Sequence, residues 1–424
     1  MIEQPHLDKI GQEHLLTLYS ITRTINSSLD FDEVLNTVMD SVMQVTRAQR
    51  GFLMVSEDPD GAQMSVRVAR GLTGETIQSE ARYSTSVVNE VVSTRQSLLT
   101  NNAQYDNRYK VGQSIIMQGL RAILCAPMMV KDRLIGVVYV DSAIRNNNFK
   151  EEDLLLLNAV AGQAAVAIEN ARLYRLAVDR GRIDREIQMA REIQESLLPR
   201  KILSIPGYEI AAQWRAAREM AGDFYDMFPL SNHTFGVVIA DVSDKGIPAA
   251  LFMASTRSMI RTHAFAGLSG VDTVGRTNDL LVEDTESGMF VTIYYSTFHP
   301  DGRMSGVNAG HNPPFFLRPS TGEQRFLPRG GRAAGWFPNN PLGTLELLLQ
   351  PGDVLVYYTD GLTDAEDPSG DYFGEQRLAQ TVAQNAGTSA EEMLRALEDA
   401  VDEFCCGMPA FDDLTLCVVR YVGL

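Results

Sequence analysis

The sequence predicts an α+β protein of more than one domain, and three patterns carry that expectation. Helical apolar spacing opens and closes the first 172 residues around a block of strand-like runs. A 3,4 spacing then continues to Pro199, and from residue 205 onward short strands with interspersed helices fill the chain. With 424 residues and 45% hydrophobic content there is material for more than one core, since domains run to roughly 100–200 residues.

Residues 1–12 read as an N-terminal tail, and from about residue 13 helical periodicity runs through "LLTLYSITRTINSSLDFDEVLNTVMDSVMQVTRA". Asp30 or Asp32 is available to cap the second helix. Strand-like runs follow at "RGFLMVSE", "MSVRVARGL", "RAILCAPMMV" and "LIGVVYVDSA", the last pair separated by the turn signal "KDR", and a helix over 151–175 closes the segment. Residues 13–172 thus resemble a GAF domain along its whole length, with the closing "FKEEDLLLLNAVAGQAAVAIENARLY". The resemblance implies a sensor that receives an unidentified effector or an upstream protein. Of the cyclic-nucleotide signature only Phe149 and Asp153 match, with Leu154 where Glu is expected, so cyclic GMP is not implied. Cys125 lies inside the apolar "AILCAP" and reads as a core thiol rather than a chromophore attachment point.

Residues 173–199 form a helical linker and a candidate coiled coil. Its spacing runs through Leu173, Leu176, Arg180, Ile183, Ile187, Ala190, Gln194 and Leu197, a seam that suits a homodimer, against the plainer reading of a helix packed on its own domain.

Charge and cysteine usage exclude several classes. A formal net charge of −17 argues against nucleic acid and against anionic lipid. The apolar run at 155–168 is shorter than the roughly 20 residues a membrane span requires, and the N-terminus has no basic region before an apolar core, so a cytoplasmic protein is expected. Cys125, Cys405, Cys406 and Cys417 have neither metal spacing nor the numbers of a disulfide framework.

The chemistry gathers at strand ends. "FGVVIADVSDKGIPAALFMA" runs an apolar strand into Asp241, a polar turn and an Ala-rich helix, and "VLVYYTDG" repeats the pattern at Asp360. Asp412 and Asp413 stand just before "LTLCVVRYV", and Asp223 follows Gly222 in "EMAGDFYD". A lone Asp at a turn has an ordinary role as a cap. Several that converge repel one another and need a cation among them. Carboxylates and carbonyls without a His or Cys cluster suit Mg²⁺ or Mn²⁺, and two such ions sharing a water lower its pKa and hold it in line with phosphorus. No Cys is followed by Arg six positions on, and no G-x-x-x-x-G-K-[ST] phosphate cradle occurs.

Residues 205–424, within a domain taken as 200–424, resemble a PPM-type (type 2C) serine/threonine phosphatase of the bacterial SpoIIE-like branch. The matching stretches are "EMAGDFYD", "IADVSDKGIPAALFMA", "FVTIYYSTF", "VNAGHNPP", "PLG", "VLVYYTDGLTDA" and "FDDLTL", in family order. The resemblance implies an α/β/β/α sandwich and two divalent cations, Mn²⁺ or Mg²⁺. It makes Asp241 the bridging ligand, gives the Val242 carbonyl to one ion, assigns Asp360 and Asp412 to the first metal with Asp413 as the alternative to Asp412, and assigns Asp223 to the second. It further implies hydrolysis of phosphoserine or phosphothreonine, with a phosphorylated STAS-type anti-sigma-factor antagonist as substrate. His311 in "NAGHNPP" is a candidate general acid, or a residue merely hydrogen-bonded at its turn. Asp244 and Lys245 stand where Gly and His are frequent, and Ala221 where Gly is usual; Lys245 reads as a solvated turn lysine or a point charge near the substrate phosphate. The competing readings are a catalytically silent scaffold and a GAF ligand sensor acting through partner binding.

Overall fold

The structure, a computed structural model, describes residues 12–25, 27–56, 63–71, 83–101, 103, 122–143, 148–199, 201–231, 233–284 and 288–424. The expected tail lies outside these, except for Gln12, which begins the first helix. The chain falls into two compact units, Met1–Ile183 and Asp184–Leu424.

In the first unit, α1 (Gln12–Ile25) and α2 (Phe31–Thr46) precede a five-stranded antiparallel sheet. Asp30 is the α2 cap, accepting from the Glu33 N–H at 2.8 Å. The strands β1 (Arg50–Ser56), β2 (Met64–Gly71), β3 (Leu98–Thr100), β4 (Ala122–Val130) and β5 (Arg133–Ser142) run in the order β2-β1-β5-β4-β3. Lys131, at φ 52°, makes the tight β4–β5 turn anticipated at "KDR". The short β3 and the helix α3 (Thr85–Thr94) were not anticipated.

The sheet is buried on both faces, which is why its strands read as continuous apolar runs rather than alternating ones. Leu124, Ala126 and Met128 of β4 face the core shared with α1, α2 and the following helix, while Ile123 and Cys125 face the core under α3. Burial drives the Cys125 thiol up, as a core thiol requires. Phe149 is clasped through its backbone by the Asn101 side chain, and Asp153 accepts from the Lys150 N–H at 2.7 Å. Both apparent matches to the nucleotide signature thus brace the start of a helix.

That helix, α4, is continuous from Glu151 to Leu197 rather than a closing helix followed by a separate linker. An 18-residue window within it is apolar and long enough by composition to cross a bilayer, more than the 155–168 run suggested, and half of that window is buried. Leu157, Val160, Ala164 and Ile168 supply the first core, which is the burial of a core helix. Further along, Leu173, Leu176 and Ile183 are exposed. Gln194, one of the positions of the anticipated seam, is only 3% exposed. Its amide donates to the Ala221 carbonyl at 2.6 Å and accepts from the Ala221 N–H at 3.2 Å.

The second unit is a four-layer sandwich. One sheet holds β7 (Phe224–Pro229), β8 (Phe235–Val242), β9 (Val291–Phe298), β10 (Arg303–Ala309) and β13 (Thr344–Leu348) in the order β13-β10-β9-β8-β7. The other holds β6 (Tyr208–Arg215), β11 (Phe315–Arg318), β12 (Glu323–Phe326), β14 (Val354–Tyr358) and β15 (Leu414–Tyr421) in the order β12-β11-β14-β15-β6. Helices α5 (Ile247–Phe265) and α6 (Gly270–Asp284) cover the first; after the single turn α7 (Asp360–Thr363), α8 (Gly374–Gln384) and α9 (Ala390–Cys405) cover the second. Val237, Ile239, Tyr294, Tyr357 and Cys417 fill the layer between the sheets. Val238 and Ala240 point the other way, under α5. The period of two along β8 therefore places Asp241 on the inter-sheet face, one step beyond the apolar filling.

Candidate functional site

Four elements deliver acids to one end of the sandwich. Asp241 is the penultimate residue of β8, in register with Thr292 of β9. Asp223 immediately precedes β7, whose Phe224 pairs with Ala240, so it lies beside Asp241. From the opposite sheet, Asp360 opens α7 just after β14, and Asp412 and Asp413 immediately precede β15. Cross-sheet hydrogen bonds tie the two sets together. Asp413 accepts from the Ala217 N–H at 2.8 Å and the Gly222 N–H at 2.9 Å, and Thr415 Oγ1 donates to Asp223 at 3.1 Å. Two bare α-carbons permit this closeness. A Cβ on Gly361 would overlap the Asp413 carbonyl, and one on Gly222 would sit 3.0 Å from the Val242 carbonyl oxygen.

The electrostatics follow from that crowding. Burial, then the Asp241 charge, pushes the Asp223 carboxyl well above the usual range. Burial, then Asp360, raises Asp241 to about 7. Asp360 is raised by burial and by Asp412. Lys245 is a cation that reaches the cluster, 2.8 Å from Asp412 Oδ2. Among the described residues no three His, Cys, Asp or Glu side chains close on a single point as a finished metal cage does. The donor set still fits a hard divalent ion: mutually repelling carboxylates at one mouth, with the Val242 backbone carbonyl beside Gly222.

Family models match the chain in two places, a GAF domain over residues 28–169 and the stage II sporulation protein E (SpoIIE) family over residues 231–422. The chain joins a GAF domain to a SpoIIE-like, PPM-type domain. Protein IcfG of Synechocystis sp. is 32% identical over 262 residues, covering 55% of this chain and 41% of its own length. Phosphoserine phosphatase RsbU of Bacillus subtilis is 26% identical over 239 residues, covering 56% of this chain and 70% of RsbU, and phosphoserine phosphatase RsbP of the same organism is 29% identical over 185 residues, covering 42% and 45%. The chain therefore spans less than half of IcfG and RsbP. In fold, the SiaA-PP2C domain of Pseudomonas aeruginosa superposes with a TM-score of 0.52 at 21% identity, covering 58% of this chain and 99% of that one.

Within the PPM-type domain, the neighbouring Asp412 and Asp413 part ways. Both Asp413 oxygens are committed to backbone N–H groups, whereas Asp412 turns Oδ1 to the Asp413 N–H at 2.9 Å and Oδ2 to Lys245. His311 is buried; its Nδ1 shares a 2.8 Å hydrogen bond with Thr292 Oγ1, and desolvation lowers its pKa to about 3. An imidazole so buried is neutral at pH 7 and has no proton to give from a charged state. Ala221 adopts no positive φ, so a methyl is tolerated where Gly is usual. Asp244 does, at φ 86°, so there the missing Gly leaves strain. Sequence reasoning missed three supports. Gln194 clasps Ala221, the Trp214 indole donates to the Asp223 carbonyl at 3.0 Å, and Asp226, wholly buried, pairs with Arg257 and Arg261 beneath α5. The first two partners are backbone groups, which leave no trace in a side-chain pattern.

Proposed function

We propose that the PPM-type domain is a metal-dependent protein serine/threonine phosphatase whose output is gated by the GAF domain. The observation that carries this reading is the convergence of Asp223, Asp241, Asp360 and Asp412 at one mouth, where burial and neighbouring carboxylates raise Asp223, Asp241 and Asp360 above the ordinary carboxylate range. Asp241 would be shared by two divalent ions, Mn²⁺ or Mg²⁺, with the Val242 carbonyl on one of them, Asp360 and Asp412 holding the first and Asp223 the second. Asp413 is withdrawn as alternative ligand, because its oxygens organise the Ala217–Gly222 loop. When bound, such ions supply a water of lowered pKa and positive charge for the phosphoryl oxygens.

His311 is assigned a positioning role in place of general acid. It holds Thr292, whose hydroxyl lies 3.4 Å from the Asp241 carbonyl oxygen. His311→Ala should then slow aryl and alkyl phosphates by similar factors; a loss confined to the poorer alkyl leaving group would restore the general acid.

The substrate we assign is a phosphorylated STAS-type anti-sigma-factor antagonist, as the resemblance to the SpoIIE-like branch implies, and the likeness to two phosphoserine phosphatases, RsbU and RsbP, supports a phosphoserine ester. The exposed Leu173, Leu176 and Ile183 of α4 support a homodimer through this helix, and Gln194 at its far end supports gating, because the residue it clasps is two positions from Asp223. A gate of this kind works only if the effector binds two arrangements with different affinity. Phosphopeptide hydrolysis by the full chain, with and without Mn²⁺, tests the activity; equal rates with and without the ion, at or near the uncatalysed level, would refute it.

A further inference from the structure

Lys245 does not behave as a solvated turn lysine. Its ammonium has three N–H groups and three partners: Asp412 Oδ2 at 2.8 Å, the Phe411 carbonyl at 3.0 Å and the Phe411 ring, whose centroid is 4.5 Å away. The residue is presented by an unusual turn, with Asp244 at φ 86° and Gly246 at φ 84°, just before α5 begins at Ile247. Asp412 Oδ1 accepts from the Asp413 N–H, and Oδ2 is the oxygen that Lys245 occupies. An ammonium and a divalent ion cannot both take it, since two cations a few ångströms apart repel strongly at the dielectric of a half-buried site.

We propose that Lys245 is a tethered cation that competes with a divalent ion for Asp412, so that loading of this pole of the acid cluster requires the ammonium to leave its seat on Phe411 and Asp412. The inference rests on the reading of Asp412 as a metal ligand. Lys245 thereby keeps the cluster partly neutralised at low metal and sets the concentration at which that pole fills. Its departure also frees the exposed Phe411, so metal loading is coupled to the segment that carries it.

The test is Mn²⁺ binding to the full chain by calorimetry, for the unaltered protein, Lys245→Met, Lys245→Arg and Asp412→Asn. Lys245→Met keeps the stem and removes the charge, and is expected to tighten one Mn²⁺ site by about five- to tenfold, the scale of a partly exposed ion pair. Lys245→Arg should stay close to the unaltered protein, and Asp412→Asn should lose that site. If Asp412→Asn loses the site while Lys245→Met binds no tighter, the competition is wrong and the metal reading stands. If Asp412→Asn binds Mn²⁺ unchanged, Asp412 is not a ligand and both fall. A measurement on the unaltered chain guards against misfolding of the variants. Acetylation of Lys245, read by peptide mass spectrometry, should speed up several-fold on adding Mn²⁺, because the ammonium is released; an unchanged or slower rate would overturn the proposal.

Discussion

Two strands in this molecule end in nearly the same way, and the protein treats their last acids oppositely. In the GAF domain β5 reads "VVYVDS" with Asp141 as its penultimate residue; in the PPM-type domain β8 reads "VVIADV" with Asp241 in the same place. Asp141 is fully buried, and Arg50 grips it with two hydrogen bonds of 2.9 and 2.7 Å. Burial pushes both carboxyls up. At Asp141 the guanidinium pulls back; at Asp241 the next contribution is the charge of Asp360, which pushes further. An acid at a strand end is therefore not itself the mark of a site. What distinguishes Asp241 is that its neighbours are other acids, where Asp141 has been given a cation by the chain itself.

The harshest way to break this comparison is to neutralise each acid in turn. Asp241→Asn should cut Mn²⁺-dependent phosphopeptide turnover by roughly a thousandfold or more while leaving thermal unfolding unchanged or raised, since it removes a repelling charge. Retained turnover would end the assignment of Asp241 as bridging ligand.

Next in size is the pH dependence without added metal. Asp241 is raised in the folded protein to about 7, so below its unfolded value near 4 the full stability is present, and it is lost as pH climbs from about 4 through 7. The slope has this sign because the folded state holds the proton that the unfolded chain has released. Denaturant midpoints should fall across that window by the equivalent of about 3 kcal/mol, and millimolar Mn²⁺ should flatten the fall. Stability that rises from pH 4 to 7 in chelator would contradict the crowding.

Asp141→Asn is expected to do the reverse of Asp241→Asn. It leaves Arg50 without its counter-charge, and unfolding of the full chain, followed by calorimetry, should show a loss of about 2 kcal/mol with Mn²⁺-dependent turnover retained. A neutral result would mean that Arg50 finds water instead, and the contrast between the two strand ends would be weaker than drawn.

Much of this was legible in the sequence because it depends on period and punctuation. The apolar strands running toward Asp241 and Asp360, the "KDR" turn and the Asp30 cap are local signals: β8 carries Asp241 as its penultimate residue, β14 stops at Tyr358 two residues before Asp360, and the turn and the cap lie where the pattern put them. Asp412 and Asp413 were inseparable from sequence because adjacent residues share the same local signal; only the Ala217 and Gly222 amides, nearly two hundred positions away, tell them apart. Gln194 read as a position of a dimer seam because its partner is a peptide group that leaves no mark in the side-chain spacing, and α4 read as two segments because its surroundings change from core to solvent while its backbone does not.

The smallest expected effect lies in the turn after Asp241. Asp244 sits at φ 86°, where a Cβ is strained and a glycine is not, and the resemblance to the family had already marked this as a position where Gly is frequent. Asp244→Gly should raise stability by about 1 kcal/mol through relief of that strain, offset in part by the greater freedom of glycine in the unfolded chain. Because the change also removes a charge near the crowded mouth, Asp244→Asn is the necessary companion: it keeps the Cβ and loses the charge. If Asn matches Gly, electrostatic relief accounts for the gain and the acid crowding reaches beyond the strand ends. If only Gly gains, the strain belongs to the backbone that presents Lys245, and the turn is held in place by the site it serves.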